Sequence, residues 1–275
     1  MTRRHFTFAC AGVELAGSLD TAAATTGLLL VSGGNELRSG PWGSQAQLAA
    51  KIATAGFPVL RFDRRGVGDS EGQNLGFTTS APDIAAAIHA FRAHLPRLKK
   101  IVAYGNCDAA SALMLAGGAG CDALVLANPW TFDPEPEPEP GAEPPPPVAE
   151  TAPTPMPPSA LRNYYLRRLF NPAALKRLFT GKVRVANMAV SLAQAAASDE
   201  PPGPLACAMT AGLARFAGPV TILLAENDRT AQAFKAVWNK ADPCLRTCPG
   251  AGHSFVEPQA RIWLQGQILA ALRSV

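Results

Sequence analysis

Apolar and polar positions along the chain form short buried runs that alternate with helical stretches. Alternation on either side of Ala11-Gly12 predicts an opening β-hairpin, and the continuous apolar run 27–31 predicts a central strand buried on both faces. Further strands are predicted at 57–63, 100–104, 123–127, 219–225 and 244–248. Helices are predicted between them, at 45–55, 82–95, 109–119, 231–240 and 257–272. Strands that alternate with helices after a hairpin predict an α/β fold with a doubly wound, mostly parallel sheet.

The pattern changes after the sixth predicted strand. Residues 133–158 are dominated by Pro, Glu, Ala and Thr, a composition that cannot bury apolar surface, whereas 159–197 is helical in pattern and basic. We therefore expect one core made of 1–130 and 216–275, interrupted by a disordered Pro/Glu-rich insert at 131–158 and a helical cap at 159–215. Such a cap would cover the carboxyl ends of the strands, where sheets of this kind bind ligands.

Composition limits the classes of function. A formal charge of +4 on 275 residues does not indicate a nucleic-acid binder. The six cysteines are scattered rather than arranged as a disulfide scaffold, which predicts a reducing compartment and a cytoplasmic protein. We expect no cofactor and no metal, since Cys244 and Cys248 lack a second ligand pair. The basic helices leave contact with a membrane surface open, as an alternative to packing on the core.

The segment Gly105-Asn106-Cys107-Asp108-Ala109 is the most informative motif in the chain. It has the small-x-nucleophile-x-small form of a nucleophile elbow, with Cys where Ser is usual, and it lies between a predicted strand and a predicted helix. Such a turn exposes the nucleophile, and the positive end of the helix dipole stabilises a negative charge on it. The alternative is a buried Cys in an ordinary strand–helix junction.

Two residues further along the chain complete a catalytic order. Cys107, Asp228 and His253 follow one another as nucleophile, acid and histidine. His253 would take the thiol proton or hold a thiolate–imidazolium pair, and Asp228 would fix the imidazole tautomer. Glu226 is the alternative acid because it lies nearer the end of its strand.

Backbone amides are expected to form an oxyanion hole beside Cys107. One donor is the N–H of Asp108, and the other is the N–H of Gly34 or Asn35, which follow the strand at 27–31. A carboxylate at position 108 would disfavour an oxyanion. We therefore expect the Asp108 side chain to point away from the site, towards the first turn of its helix.

Together these residues resemble the α/β-hydrolases. More narrowly, they resemble the exosortase A system-associated hydrolases of exopolysaccharide-producing bacteria, of the type usually numbered first. The matching segments are 32–40, 57–72, 105–112, 127–130, 163–170, 227–231 and 250–255. The resemblance implies a Cys-His-Asp hydrolase encoded beside exopolysaccharide and protein-sorting genes, and it supplies no substrate.

We expect a cytoplasmic acyl hydrolase that acts on a small-molecule ester or thioester through an acyl-cysteine intermediate. Two alternatives remain open on the same fold: an acyltransferase, and a non-catalytic module that binds an acyl or glycan intermediate. The leaving group, the acyl length and the oligomeric state do not follow from the sequence.

Overall fold

A computed structural model describes residues 2–132 and 202–275. In this part of the chain eight strands form a single sheet in the order β1-β2-β4-β3-β5-β6-β7-β8. The strands are β1 Arg3–Cys10, β2 Val13–Asp20, β3 Thr26–Val31, β4 Val59–Phe62, β5 Lys100–Asn106, β6 Ala123–Ala127, β7 Val220–Ala225 and β8 Leu245–Cys248. Strand β2 pairs antiparallel with β1 and β4, and the pairs from β4 through β8 are parallel. The predicted mostly parallel sheet with an antiparallel N-terminal hairpin is confirmed.

Helices cover both faces of the sheet. They are α1 Ser44–Thr54, α2 Ala81–His94, α3 Asp108–Leu115, α4 Pro204–Ala214, α5 Arg229–Val237 and α6 Pro258–Ser274. Strand β3 is buried throughout because its side chains alternate between two cores. Leu29 belongs to the core under α2, α3, α4 and α5, whereas Leu28 and Leu30 belong to the core under α1 and α6.

Two of the element boundaries that differ from the sequence prediction belong to the elements on either side of the elbow. Strand β5 continues to Asn106, two residues beyond the predicted end, so that it leads directly into the elbow. Helix α3 ends at Leu115 instead of continuing to 119. Gly117 and Gly118 have positive φ, a backbone conformation that does not continue a right-handed α-helix, and the chain forms a tighter turn there.

Most of the predicted insert and cap lies outside the described residues, in 133–201. Of the range predicted as a cap, the structure describes only the end, which contains α4. This helix packs in the same core layer as α3. Leu205 and Met209 are buried there, and a Cβ on Gly212 would approach the Met114 carbonyl oxygen to 2.2 Å. This close approach explains why a glycine occupies an apolar helix.

The carboxyl ends of β3, β5, β6, β7 and β8 meet at one edge of the sheet. The loops that leave these ends hold all the residues singled out above for chemistry. Among the described helices, none combines the length and apolarity needed to cross a bilayer.

Candidate active site

Cys107 lies on the sharp turn between β5 and α3. Its backbone has φ 61° and ψ −128°, a positive-φ conformation that is strained for a residue with a Cβ. Hydrogen bonds hold it on both sides: its N–H donates to the Ala127 carbonyl at 2.9 Å, and its carbonyl accepts from the Ala110 N–H at 3.1 Å. A Cβ on Gly105 would lie 2.7 Å from the Ala109 carbonyl carbon. The absence of a side chain at 105 therefore lets α3 pack against β5.

The acid and the histidine meet at the same edge. His253 Nδ1 lies 3.0 Å from Asp228 Oδ2. Asp228 is the N-cap of α5, is 7% exposed, and also accepts the Ala231 N–H at 3.0 Å. The helix therefore fixes the carboxylate that orients the imidazole. Glu226, the alternative acid, instead accepts the Gly250 N–H at 2.9 Å and braces the loop before the histidine.

The imidazole of His253 also interacts with the Cys107 side chain. Hydrogen bonding to Asp228, and then to Cys107, raises the pKa of His253 to about 10, although burial opposes the shift. The imidazole therefore keeps its proton at neutral pH. This is the histidine state that a thiolate–imidazolium pair requires. The structure thus brings together Cys107, Asp228 and His253 from three separate loops.

Two asparagines that the sequence did not single out as site residues hold the histidine loop. Asn128 is fully buried with φ 43°, and its Nδ2 donates to the His253 carbonyl at 3.0 Å and to Asn106 Oδ1 at 3.0 Å. Asn106 Nδ2 donates to the same carbonyl at 3.3 Å. The Asn128 Oδ1 accepts the Ala225 N–H at 2.8 Å, which ties the network to β7. The available signal was a polar residue placed directly after the buried run of β6.

The Asp108 side chain does not point away from the site, so that prediction was wrong. Its Oδ1 accepts the Gly34 N–H at 2.6 Å, and its Oδ2 lies 3.2 Å from Arg64 Nη2. Arg64 is 5% exposed and also donates to the Gly34 carbonyl. The buried guanidinium attracts the carboxylate onto the loop after β3. Consequently the Gly34 N–H already donates to the Asp108 carboxylate. The Asn35 N–H is the other oxyanion-hole donor predicted in this loop.

Comparison with known proteins agrees with this architecture. A family model described as the alpha/beta hydrolase family matches residues 28–262. No curated protein matches the sequence. Among solved structures, the alpha/beta hydrolase GrgF from Penicillium sp. sh18 has a TM-score of 0.59 at 16% identity, covering 100% of this chain and 99% of its own. The esterase Pf2001 from Pyrococcus furiosus has a TM-score of 0.57 at 13% identity, covering 99% and 90%.

A third similar structure is XC6422 from Xanthomonas campestris, described as an a/b serine hydrolase without lid. It has a TM-score of 0.56 at 15% identity and covers 100% of this chain and 95% of its own. At these identities the likeness to solved structures concerns the fold.

We expect Gly105→Ala to destabilise the protein by about 1–3 kcal/mol or more, because the added methyl group meets the backbone of α3. Gly266→Ala in α6 is the matched control: nothing lies within 4 Å of its Cβ, and Ala favours a helix by about 1 kcal/mol. Thermal and urea unfolding measure both. Equal stability of the two variants would contradict the packing described for the elbow.

The histidine predicts a dependence of stability on pH. Because its pKa is raised from 6.5 to about 10 in the folded state, the proton stabilises the native protein fully below pH 6.5. That contribution is lost as the pH rises towards 10. The effect is modest, since the side chain is 39% exposed. The titratable groups that interact with His253 are Asp228, Cys107 and Glu36.

The measurement is the free energy of unfolding in urea at pH 6.5 and pH 10, for the wild type and for His253→Gln. The wild type should lose more stability between these pH values than the variant does. A pH dependence that is identical in both proteins would show that His253 does not hold its proton as described.

Proposed function

The chain belongs to the alpha/beta hydrolase family, and we propose that it is a cysteine-dependent acyl hydrolase that cleaves esters or thioesters. The observation that carries this proposal is the chain of interactions from Asp228 to His253 to Cys107. The sulfur stands on a strained turn at the carboxyl edge of the sheet. A protonated imidazole and a nucleophile in contact are what acyl transfer requires.

The reaction proceeds in two halves. The Cys107 sulfur forms a bond to the acyl carbon, the bond from that carbon to the leaving oxygen or sulfur breaks, and His253 gives its proton to the leaving group. Water then attacks the acyl-cysteine. His253 takes the proton of that water as the carbon–sulfur bond breaks, which releases the acid and restores the starting pair. Asp228 keeps Nδ1 protonated throughout, so that Nε2 serves the reacting atoms.

The oxyanion that forms in each half needs donors. The Asp108 N–H opens α3, where first-turn amides have no acceptor within the helix. We assign the second donor to the Asn35 N–H, because the Gly34 N–H is already bonded to the Asp108 carboxylate. In this assignment Asp108 and Arg64 are positioning residues: they hold the loop after β3 against the elbow, and the guanidinium offsets the carboxylate charge near the oxyanion.

The biological setting is also part of the proposal. We propose a small-molecule acyl substrate in the cytoplasm and a link to exosortase and exopolysaccharide systems, supported by the sequence resemblance. All six cysteines are free, which agrees with a reducing compartment. Loss of exopolysaccharide output in a deletion strain, restored by wild type but not by Cys107→Ala, would test the link.

We expect p-nitrophenyl butyrate to be hydrolysed by the wild type, with activity reduced at least about 1000-fold in Cys107→Ala and His253→Ala, because each removes a group on which both halves depend. Iodoacetamide labelling of Cys107, followed by mass spectrometry of its peptide, should be faster than labelling of the exposed Cys207 in the same protein. His253→Ala should remove this difference.

The outcomes separate the alternatives. Hydrolysis that survives in Cys107→Ala would contradict the proposed nucleophile. Product that appears as a new ester when a second alcohol is added would identify an acyltransferase. Binding of acyl esters without any turnover would indicate the non-catalytic module.

Asp108 can be tested separately. We expect Asp108→Ala to lower kcat about 10- to 100-fold with little change in KM, because the loop that carries an oxyanion donor loses its anchor. Asp108→Asn keeps an acceptor for the Gly34 N–H and should recover much of that loss. Asp69→Ala is the control, since Asp69 also pairs with an arginine but is 74% exposed. Equal kcat in all three variants would rule out a positioning role for Asp108.

A further inference from the structure

A cavity of about 90 Å³ lies between the first turns of α1 and α6. This is well above the roughly 10–15 Å³ that a single water needs. Asn106, which precedes Cys107, and Ser254, which follows His253, both line it. Glu36, another lining residue, lies close enough to His253 for the two charges to interact, which connects the cavity to the proposed catalytic residues.

The floor of the cavity contains a buried phenol. Tyr104 lies on β5, is 6% exposed, and lines the cavity. Within the described residues its hydroxyl has no hydrogen-bond partner. Burial, and then the charge of Glu36, raise the pKa of Tyr104, so the phenol keeps its proton as a donor. An unpaired donor on a residue that lines a cavity favours a ligand that supplies an acceptor.

The wall opposite carries a fixed carboxyl group. Glu36 is half-buried on the loop after β3, and its Oε2 accepts from Gln45 Nε2 at 3.3 Å. The amide of Gln45 is held in turn by Ser32, whose hydroxyl donates to Oε1 at 3.1 Å. These two hydrogen bonds hold the Glu36 side chain at the cavity. Its carboxyl group therefore offers a hydrogen-bond acceptor to a ligand that also meets Tyr104. Burial raises the pKa of Glu36, while the charge of His253 opposes that shift.

The charges around the cavity restrict its ligand. Lys51 and Arg261 also line it, which disfavours a ligand ammonium group, whereas Glu36 disfavours a ligand carboxylate. A neutral hydroxyl meets both fixed groups, because it accepts from the Tyr104 phenol and donates to Glu36. Apolar side chains, including Leu48 and Leu264, also line the cavity and offer a surface for the carbon atoms of such a ligand.

We infer that this cavity is a subsite for a hydroxyl-bearing alcohol, the leaving group of the ester, with Tyr104 and Glu36 as its specificity-determining residues. The inference rests on the proposed function and adds the substrate class: esters of a small polyol rather than of a simple alkyl alcohol. We expect the two hydrogen bonds together to give a preference of about tenfold, which corresponds to about 1.4 kcal/mol.

The test compares two esters of the same acid that differ only by hydroxyl groups, glyceryl 1-monobutyrate and n-propyl butyrate. The wild type should have a kcat/KM about tenfold higher for the glyceryl ester. In Tyr104→Phe and in Glu36→Gln the ratio of the two kcat/KM values should fall towards one. Glu14→Gln, the same change at an exposed position on β2, should keep the wild-type ratio.

A second measurement does not need turnover. Cys107 is alkylated with a matched pair of iodoacetamides, one carrying a 2,3-dihydroxypropyl arm and one a propyl arm, and the two rates are read from the Cys107 peptide. The dihydroxypropyl reagent should react faster in the wild type and in Glu14→Gln, and the two rates should converge in Tyr104→Phe and Glu36→Gln.

Equal rates for the two reagents in the wild type, or a preference that survives both substitutions, would overturn the subsite. This failure is distinct from failure of the proposed function. The subsite can be wrong while p-nitrophenyl butyrate is still hydrolysed through Cys107, and a preference in alkylation can persist if the protein hydrolyses no ester.

Discussion

The site depends on one backbone conformation, that of Cys107 at φ 61°. A residue with a side chain adopts this region at a cost of about 1–3 kcal/mol, and the surrounding structure must hold it there. Three features supply the constraint: the ladder of β5, the first turn of α3, and the close packing that Gly105 permits. The turn places the Cys107 side chain at the carboxyl edge of the sheet, where it interacts with His253.

Buried charge provides the second layer of organisation. Arg64 follows β4, Gly34 follows β3 and Asp108 begins α3, so one guanidinium joins three loops that are far apart in sequence. Such a group is stable out of water only when its donors are satisfied, and here Ser80 accepts a further bond at 3.2 Å. Asp63 is likewise fully buried and accepts from Arg38 and from the Asp69 N–H. The glycine-containing loop that follows β4 therefore holds buried charged side chains together.

The sequence predicted the succession of strands and helices along the chain, because apolar runs are local properties, and it placed Cys107, Asp228 and His253 after predicted strands. It did not predict the direction of the Asp108 side chain, which depends on an arginine 44 residues away. It likewise left open the choice between Asp228 and Glu226, since both follow β7 and only the folded loop shows which reaches the imidazole. The asparagines that hold the His253 carbonyl were missed because their partners come from distant loops.

The histidine loop has one further property that follows from its attachment. It leaves β8, a strand of four residues that pairs with β7 at the end of the described sheet. Edge strands of this length open locally at a smaller free-energy cost than central ones. The position of the imidazole therefore depends on an edge strand that opens more easily than the core. We expect heat to inactivate the protein below the temperature at which its core unfolds.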